Sequence, residues 1–250
     1  MFHVVIPARF AATRLPGKPL LLIHGMPLIQ HVWQRARDSG ARSVVIATDD
    51  ERILAAARSF GAECAMTAAD HASGTDRVAE VVRARSFDPA EIVINLQGDE
   101  PMMPADVIRQ VAAGLRTMPT ADICTAVAPV ASLAEFLDVN CVKVVRAEDG
   151  RALYFSRAPI PWPRDSVAAD RPTAYEGAWR HIGIYGYRVR SLLRFAAWKP
   201  TTLEVTEKLE QLRALEHAML IQTVTLAKSP PGGVDTPQDL QRVRAALQGK

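Results

Sequence analysis

Residues 2–18 read FHVVIPARFAATRLPGK and join an apolar run to a polar, cationic stretch. The apolar run, residues 2–6, is short and centred on Val4, Val5 and Ile6, which predicts a strand in the core of a sheet. Pro7 ends this strand, because proline has no N–H to donate to a neighbouring strand. The loop that follows carries three cations, Arg9, Arg14 and Lys18.

The cations of this loop predict a polyanionic ligand, and a nucleoside triphosphate is the obvious one. The sequence has no acidic residue between Phe2 and Asp38, so the cations have no acidic neighbours along the chain. Open α/β sheets bind their ligands at the carboxyl ends of the strands, where this loop begins. The alternative is a solvated surface loop. The sequence has neither a P-loop nor a Gly-x-Gly-x-x-Gly motif, so side chains and loop amides would hold the phosphates.

The composition favours one large α/β domain spanning residues 1–250. Of the 250 residues 48% are hydrophobic, which is sufficient for a full core. A net charge of +3 without a basic run gives no indication of nucleic acid as a partner. The three cysteines are odd in number and far apart, which favours a reducing compartment. No apolar run reaches membrane-spanning length, so we expect a cytoplasmic protein with no membrane partner.

Apolar runs and helical patterns alternate along the first half of the chain. Helices are predicted at residues 27–39 and 50–60, with a strand at residues 43–48 between them. This order implies parallel strands joined by crossover helices. The middle segment, residues 122–187, departs from strict βα alternation, and a single helix is predicted at residues 203–219. The expected fold is therefore a Rossmann-like, mostly parallel sheet flanked by helices, with a smaller mixed-strand insertion.

Two aspartates are candidates for a magnesium site. Asp99 follows a predicted strand at residues 91–97, and Mg²⁺ takes a few carboxylates together with phosphate oxygens and water. The alternative for Asp99 is a turn or helix-cap role, but it lies too far ahead of Pro104 to cap the next helix. Asp235 precedes Thr236, which already supplies a helix N-cap, so Asp235 is available as a second carboxylate.

Several motifs, taken together, resemble the 3-deoxy-manno-octulosonate cytidylyltransferase (CMP-Kdo synthetase) family. They stand in the family's order between residues 6 and 244 and read IPARFAATRLPGKPL, ATDD, DHASGTDR, INLQGDEPMMP, VKVV, ALYFSRAPIPW, RHIGIYGYR, LEQLRAL and GVDTPQDLQRVR. The first of these marks only the wider sugar-nucleotidyltransferase group, whereas FSRAPIPW, RHIGIYGY and LEQLR are specific. The resemblance implies the nucleotide-diphospho-sugar transferase type of fold. It also implies transfer of CMP from CTP to the acidic sugar Kdo, with release of diphosphate, in lipopolysaccharide biosynthesis.

The resemblance assigns roles to individual residues. It implies nucleotide binding by Pro7, Ala8, Arg9, Arg14, Lys18, Ser73, Thr75, Arg77, Gln97 and Asp99. Within this set, the triphosphate is held by Arg9, Arg14 and Lys18, and the cytidine pocket is lined by Ser73, Thr75 and Arg77. Binding of the sugar acid falls to Gln97, Arg157, His181, Tyr185, Glu210 and Gln211. The catalytic set is Lys18, Arg14, Asp99 and Asp235, of which Asp99 and Asp235 bind Mg²⁺.

The chemistry implied is in-line attack by the anomeric hydroxyl of Kdo on the α-phosphorus, with Lys18 stabilising the charge of the transition state. His181 is either a general base or a neutral hydrogen-bonding group. The family is usually dimeric, so a homodimer is expected. The rival functions are a sialic acid cytidylyltransferase, a glycosyltransferase, which would normally show Asp-x-Asp, and a nucleotide-binding module without catalytic activity.

Overall fold

The computed structural model describes residues 1–11, 15–168 and 171–248 of the chain. Within these residues the strands are β1 (Phe2–Ala8), β2 (Leu22–Ile23), β3 (Met26–Pro27), β4 (Ser43–Thr48), β5 (Glu63–Met66), β6 (Ile92–Asn95), β7 (Ile123–Pro129), β8 (Lys143–Arg146), β9 (Ala152–Ser156), β10 (Val167–Ala168), β11 (Arg171–Pro172), β12 (Trp179–Arg188) and β13 (Ile221–Thr225). The helices are α1 (Leu28–Asp38), α2 (Glu51–Ser59), α3 (Gly74–Ala84), α4 (Ala105–Thr117), α5 (Leu133–Leu137), α6 (Val189–Ala196), α7 (Thr202–Glu207), α8 (Gln211–Glu216) and α9 (Pro237–Leu247).

The first half of the chain forms the parallel part of one large sheet. β1 pairs with β4 on one side and β6 on the other, and β4 pairs with β5, all in parallel. The prediction that Pro7 ends the first strand is wrong: β1 continues to Ala8 in register with β4, because the pairing with β6 has already stopped at Val5 and the missing N–H of Pro7 interrupts no further pair on that side. Helices α1, α2 and α3 connect these strands in turn, so the predicted βα alternation is confirmed. Because the strands are parallel, the loops after β1 and β6 leave the sheet at the same edge.

The apolar run of β1 is explained by burial on both faces of the sheet. Val4 and Ile6 enter one apolar cluster, and Val5 enters a second cluster on the opposite face. Helices α1, α2, α4 and α9 cover the first face, and α3, α6 and α8 cover the second. Strands covered on both sides read as continuous apolar runs rather than as alternating ones.

The second half of the chain adds antiparallel pairings to the sheet. The order across the sheet is β13-β7-β12-β6-β1-β4-β5, and β12 is antiparallel to both β6 and β7. β8 and β9 extend from β12 in antiparallel pairs, and β10 and β11 form a separate two-stranded antiparallel sheet. The expected class, an α/β fold with a mostly parallel sheet and a mixed-strand part, is confirmed.

β12 contains an irregularity that bears on the site described below. Its register against β7 shifts between Ile182 and Tyr185, which leaves Gly183 and Ile184 as extra residues on β12. An insertion of this kind is a β-bulge, which bends the strand and re-aims its side chains.

The single helix predicted for residues 203–219 is wrong. The structure has two short helices there, α7 and α8, separated at Lys208, whose backbone is left-handed with φ 55°. A left-handed residue cannot continue a right-handed helix, so α7 ends at this point. The apolar spacing of the segment suits one helix, but it does not report this local change of backbone conformation.

Among the described residues, no helix combines the length and the apolar character needed to span a membrane.

Candidate active site

The loops that follow β1 and β6 meet at one edge of the sheet because Gly98 has no side chain. A Cβ atom added at Gly98 would lie 2.7 Å from the backbone oxygen of Pro7. Contacts of that length are not tolerated, so the backbone after β6 approaches the end of β1 only with glycine at this position. The approach places Gln97 and Asp99 beside the cationic loop.

We expect Gly98→Ala to lower the free energy of unfolding by about 1–3 kcal/mol, because the added methyl group is forced against backbone rather than a movable side chain. To relieve this contact the backbone at residue 98 must move away from Pro7, which also moves Asp99 away from the first loop. We therefore expect activity to fall as well. Urea unfolding and steady-state rates measure the two effects. Gly183→Ala is the matched control for stability, because a Cβ there would meet nothing within 4 Å. Unchanged stability of Gly98→Ala would contradict the close approach.

Lys18 lies between the two candidate metal ligands. Its Nζ donates to Oδ2 of Asp99 at 2.7 Å and to Oδ1 of Asp235 at 3.1 Å. Burial by itself would lower the pKa of Lys18, but the charges and hydrogen bonds of Asp99 and then Asp235 outweigh it, so the pKa is raised. Lys18 is therefore a fixed cation that holds two carboxylates together, although the three residues are far apart in sequence.

Asp235 is brought to the site by the approach of a second glycine. A Cβ at Gly233 would lie 2.8 Å from both the backbone oxygen of Asp99 and Oε1 of Glu100. The N–H of Val234 donates to that same Asp99 oxygen at 2.8 Å, which ties the two loops together. Burial, with repulsion from Asp99 and Asp235, raises the pKa of Glu100 to about 8.

The predicted cap of α9 is confirmed. The side chain of Thr236 accepts from the N–H of Asp239, and the carboxylate of Asp239 accepts from the N–H of Thr236, which is a capping box. The N–H of Asp235 also donates to Asp239, at 3.2 Å. The start of α9 is thus stabilised locally, and the carboxylate of Asp235 faces Lys18.

The cationic loop is attached to the loop that precedes α3. Arg9 donates through Nη2 to the backbone oxygen of His71. The ring of His71 is paired with Glu80, whose carboxylate also accepts from the N–H of Ala68 at 3.0 Å. Residues 68–73 are thereby held in place from α3. Arg14, the remaining predicted cation, lies outside the described residues.

The three residues predicted for the cytidine pocket all lie at the start of α3. Ser73 is the N-cap of that helix and forms a capping box with Asp76. Thr75 and Arg77 are buried, with 2% and 0% of their surface exposed. Arg77 donates to Asp49 at 2.8 Å and to Thr67. In this structure the side chains of Thr75 and Arg77 form hydrogen bonds with other residues of the protein. Their contact with cytidine stays a prediction.

A chain of hydrogen bonds links residues predicted to bind the nucleotide to a residue predicted to bind the sugar acid. Gln97 donates to Asn95 at 3.3 Å, Asn95 donates to Thr75 at 3.3 Å, and Thr75 donates to Glu210 at 2.6 Å. Burial raises the pKa of Glu210, although its bonds from Thr75 and Ser73 oppose the shift. Oε1 of Glu210 is buried without a hydrogen-bond partner among the described residues.

Two more residues predicted for the sugar acid lie on β12, next to the hydrogen bonds that run from Gln97 to Glu210. Tyr185 is directly opposite Asn95 in the register of β12 and β6. His181 lies 5.3 Å from Tyr185 and 5.1 Å from Phe155, measured between ring centroids. Burial and the neighbouring Arg180 lower the pKa of His181 to about 3.

Arg157 and Gln211, the other two residues predicted for the sugar acid, are held by hydrogen bonds and by burial, respectively. Arg157 donates through Nε to the backbone oxygen of Glu207 at 2.7 Å and through Nη1 to that of Val139 at 3.0 Å. Its own backbone oxygen accepts from the fully buried Lys143 at 2.7 Å. Gln211 is buried, with 6% of its surface exposed. The guanidinium of Arg157 is thus held in one orientation by backbone carbonyls.

The largest cavities do not coincide with this cluster. A cleft of about 200 Å³ is lined by Pro7, Ala8, Arg9, Ala11, Lys18, Pro19, Gln97, Gly98 and Asp99. A larger cavity of about 470 Å³ lies between the start of α4 and residues 225–231, and its lining is mostly apolar. We assign the candidate site to the smaller cleft, because the cations and carboxylates converge there and charge-assisted hydrogen bonds are the strong ones that a triphosphate makes.

Some supporting residues were not identified from the sequence. Asn95 ends β6 after three apolar residues, and Lys143 begins β8 before two valines; a polar residue that directly adjoins a short apolar run is a signal that could have found them. Glu207, which accepts from Ser156 at 2.6 Å and from the N–H of Arg157 at 2.9 Å, gives no such signal. Its role depends on the distance between two segments that are 50 residues apart.

Comparisons with known proteins identify the family of this chain. The sequence profile of the cytidylyltransferase family matches residues 3–221. The chain is 52% identical to a 3-deoxy-manno-octulosonate cytidylyltransferase of Cellvibrio japonicus, over 99% of this chain and 98% of the relative. It is 51% identical to one of Pseudomonas syringae pv. syringae, with the same coverage.

Two solved structures extend the comparison. A CMP:2-keto-3-deoxy-manno-octonic acid synthetase complexed with CTP superposes with a TM-score of 0.90 at 42% identity, covering 99% of this chain and 98% of that one. A cytidylyltransferase from Leptospira borgpetersenii, at 14% identity and a TM-score of 0.63, shares the fold; the alignment covers 98% of this chain and 86% of that one. The chain therefore belongs to the cytidylyltransferase family and, within it, to the 3-deoxy-manno-octulosonate cytidylyltransferases.

Proposed function

We propose that this chain carries out its family's reaction, CTP plus Kdo to CMP-Kdo and diphosphate, by in-line attack of the anomeric hydroxyl on the α-phosphorus. The observation that carries the mechanism is the position of Lys18 between Asp99 and Asp235, at the edge of the sheet where the cationic loop begins. A cation fixed there is available to the negative charge that builds on the phosphoryl oxygens and the leaving diphosphate. Catalysis then consists mainly of positioning and charge stabilisation.

Asp99 and Asp235 are the proposed ligands of Mg²⁺. The donor set fits, since Mg²⁺ is usually held by one or two carboxylates plus substrate phosphates. Lys18 joins the two carboxylates in the structure, so both oxygens already point at one small region. When bound, the metal would neutralise phosphate charge and lower the pKa of a hydroxyl group bound to it. Lys18 would then donate to the phosphate oxygens rather than only to the aspartates.

On the nucleotide side, Arg9, Arg14 and Lys18 are proposed to hold the triphosphate. Pro7, Ala8 and Gln97 also line the cleft. The capped start of α3 at Ser73 is proposed to border the cytidine. Thr75 and Arg77, with their internal partners, would set the position of that helix start.

On the sugar side, Arg157 is proposed to bind the carboxylate of the sugar acid. Guanidinium groups pair well with carboxylates, and the carbonyls of Glu207 and Val139 fix this guanidinium before any ligand arrives. Nη2 of Arg157 makes no hydrogen bond within the described part of the chain, so it is available for the ligand. The remaining sugar contacts are assigned to Gln97, His181, Tyr185, Glu210 and Gln211.

A homodimer is also proposed. The segment after Phe155 exposes Trp162 and Val167 at 51% and 38%, and β9 exposes Leu153 at 52%. Exposed large apolar side chains favour contact with a second copy of the chain. Light scattering at micromolar concentration should give twice the mass of 27.3 kDa. A single-chain mass would contradict the dimer.

We propose a cytoplasmic location, where the substrates CTP and Kdo would be available. The three cysteines, Cys64, Cys124 and Cys141, are all unpaired, and Cys124 and Cys141 are buried. Unpaired thiols are usual in a reducing compartment. Fractionation of cells that produce the protein tests the location, and recovery with the membranes or outside the cytoplasm would contradict it.

The reaction is tested by release of diphosphate from CTP and Mg²⁺ with Kdo, with sialic acid and with no sugar. We expect release that needs Kdo, prefers CTP to other nucleoside triphosphates and stops when EDTA removes the metal. Release with sialic acid alone would keep the mechanism and overturn the proposed sugar site. CTP binding without any release would favour a module that has lost its chemistry.

A further inference from the structure

Thr125 is a buried polar residue in the middle of β7, opposite the bulge of β12. Its relative exposure is 0%, and it pairs with Tyr185 where the register of the two strands shifts. The hydroxyl oxygen of Thr125 lies 2.7 Å from the backbone oxygen of Ile184 and 3.1 Å from that of Ile182. It also lies 2.9 Å from Nε2 of His181. One hydroxyl group therefore has three polar neighbours.

The single proton of this hydroxyl group is donated to the backbone oxygen of Ile184. Two oxygen atoms at 2.7 Å repel each other unless a proton lies between them, and a backbone carbonyl has none to offer. The Thr125 hydroxyl therefore donates to Ile184. Its lone pairs remain as acceptors, so the contact with His181 is a hydrogen bond only when Nε2 of His181 carries the proton.

A neutral imidazole with a proton on Nε2 has an unprotonated Nδ1. The neutral form dominates at physiological pH, since burial and Arg180 both disfavour the imidazolium ion. Nδ1 makes no hydrogen bond with any other described residue. The ring itself is held between Phe155 and Tyr185, so its orientation is set by packing as well as by Thr125.

We propose that Thr125 is a positioning residue that fixes His181 in its Nε2–H tautomer, so that Nδ1 accepts a hydrogen bond from a hydroxyl group of the sugar acid. This rests on the proposed function, which places His181 in the sugar site. A sugar with many hydroxyl groups is rich in donors, and an acceptor in a fixed direction selects the one that is correctly placed. In this proposal His181 orients the sugar as a neutral acceptor.

The tautomer is read directly from nitrogen chemical shifts of protein labelled with ¹⁵N-histidine. We expect a protonated Nε2 and an unprotonated Nδ1 for His181 in the ligand-free enzyme at neutral pH. The resonances are assigned by their loss in His181→Gln. A protonated Nδ1 in the unmodified protein would overturn the proposal without any variant of Thr125.

Two variants of Thr125 test its role. Thr125→Val keeps the shape and removes the hydroxyl, so we expect mixed tautomers and a rise of about tenfold in KM for Kdo, the loss of one hydrogen bond. The KM for CTP should stay within about twofold, which a general loss of structure would not allow. Thr125→Ser keeps the hydroxyl and should restore both the tautomer and the KM for Kdo.

The outcomes separate this proposal from the proposed function. An equal rise in both KM values for Thr125→Val, or a single unchanged tautomer in that variant, would overturn the positioning role. Failure of the unmodified enzyme to prefer Kdo would instead overturn the function, while the tautomer would still be readable.

Discussion

Replacing Lys18 with methionine should lower kcat/KM about a thousandfold, which corresponds to about 4 kcal/mol of lost transition-state stabilisation. Lys18 is the cation fixed against both Asp99 and Asp235, at 2.7 and 3.1 Å. Methionine keeps the length and apolar stem of the side chain but removes the charge. The two carboxylates then face each other without the ammonium group between them. Steady-state release of diphosphate, with CTP and Kdo varied separately, measures the effect.

Lys199→Met is the matched control, because Lys199 is exposed and outside the site. It should leave kcat/KM within about twofold of the unmodified enzyme, since isolated surface charges contribute little. Lys18→Arg should recover part of the rate, as it restores the charge in a different geometry. A Lys18→Met enzyme with nearly normal kcat would remove Lys18 from the catalytic set.

Asp99→Asn and Asp235→Asn should each lower kcat by about a hundredfold or more and raise the Mg²⁺ concentration needed for half-maximal rate. Asparagine preserves the size of the side chain and removes its charge, so the change falls on metal binding. The two carboxylates share one partner in Lys18, so they act as a unit. The double variant should therefore be little worse than either single variant, because effects within one unit are not additive.

The comparison needs a carboxylate outside the site. Asp106 is an exposed residue of α4, paired with Arg109 at 3.3 Å, and Asp106→Asn should change neither kcat nor the Mg²⁺ dependence. An unchanged Mg²⁺ dependence in Asp99→Asn would remove Asp99 from the metal site. Multiplicative losses in the double variant would show that the two carboxylates act separately.

Local features of the structure were predictable because they depend on residues close together in sequence. The strand β1 follows from its apolar run, although it continues past Pro7 to Ala8, and the capping box of α9 depends on Thr236 and Asp239 alone. The same applies to helices α1 and α2. The prediction of one helix at residues 203–219 was wrong because the backbone conformation of a single residue interrupts it. Its apolar spacing is correct, but the left-handed backbone of Lys208 leaves no mark on a hydrophobic pattern.

The site depends on contacts between distant segments, which local patterns do not encode. The sequence named Lys18, Asp99 and Asp235 separately, but their meeting requires two glycines, Gly98 and Gly233, to bring backbones into contact. The network from Gln97 to Glu210 likewise joins residues from β6, α3 and the start of α8.

The sequence by itself determined the α/β class, the cationic loop at the end of the first strand and the family, because each is written in short motifs and apolar spacing. The tertiary structure alone decided that Lys18 contacts carboxylates 81 and 217 residues away, and that β12 enters the sheet antiparallel with a bulge opposite Thr125. The physical reason is that strand order and close backbone approach are set by packing of the whole core. A motif fixes the chemistry of a side chain, and only the folded chain fixes its partners.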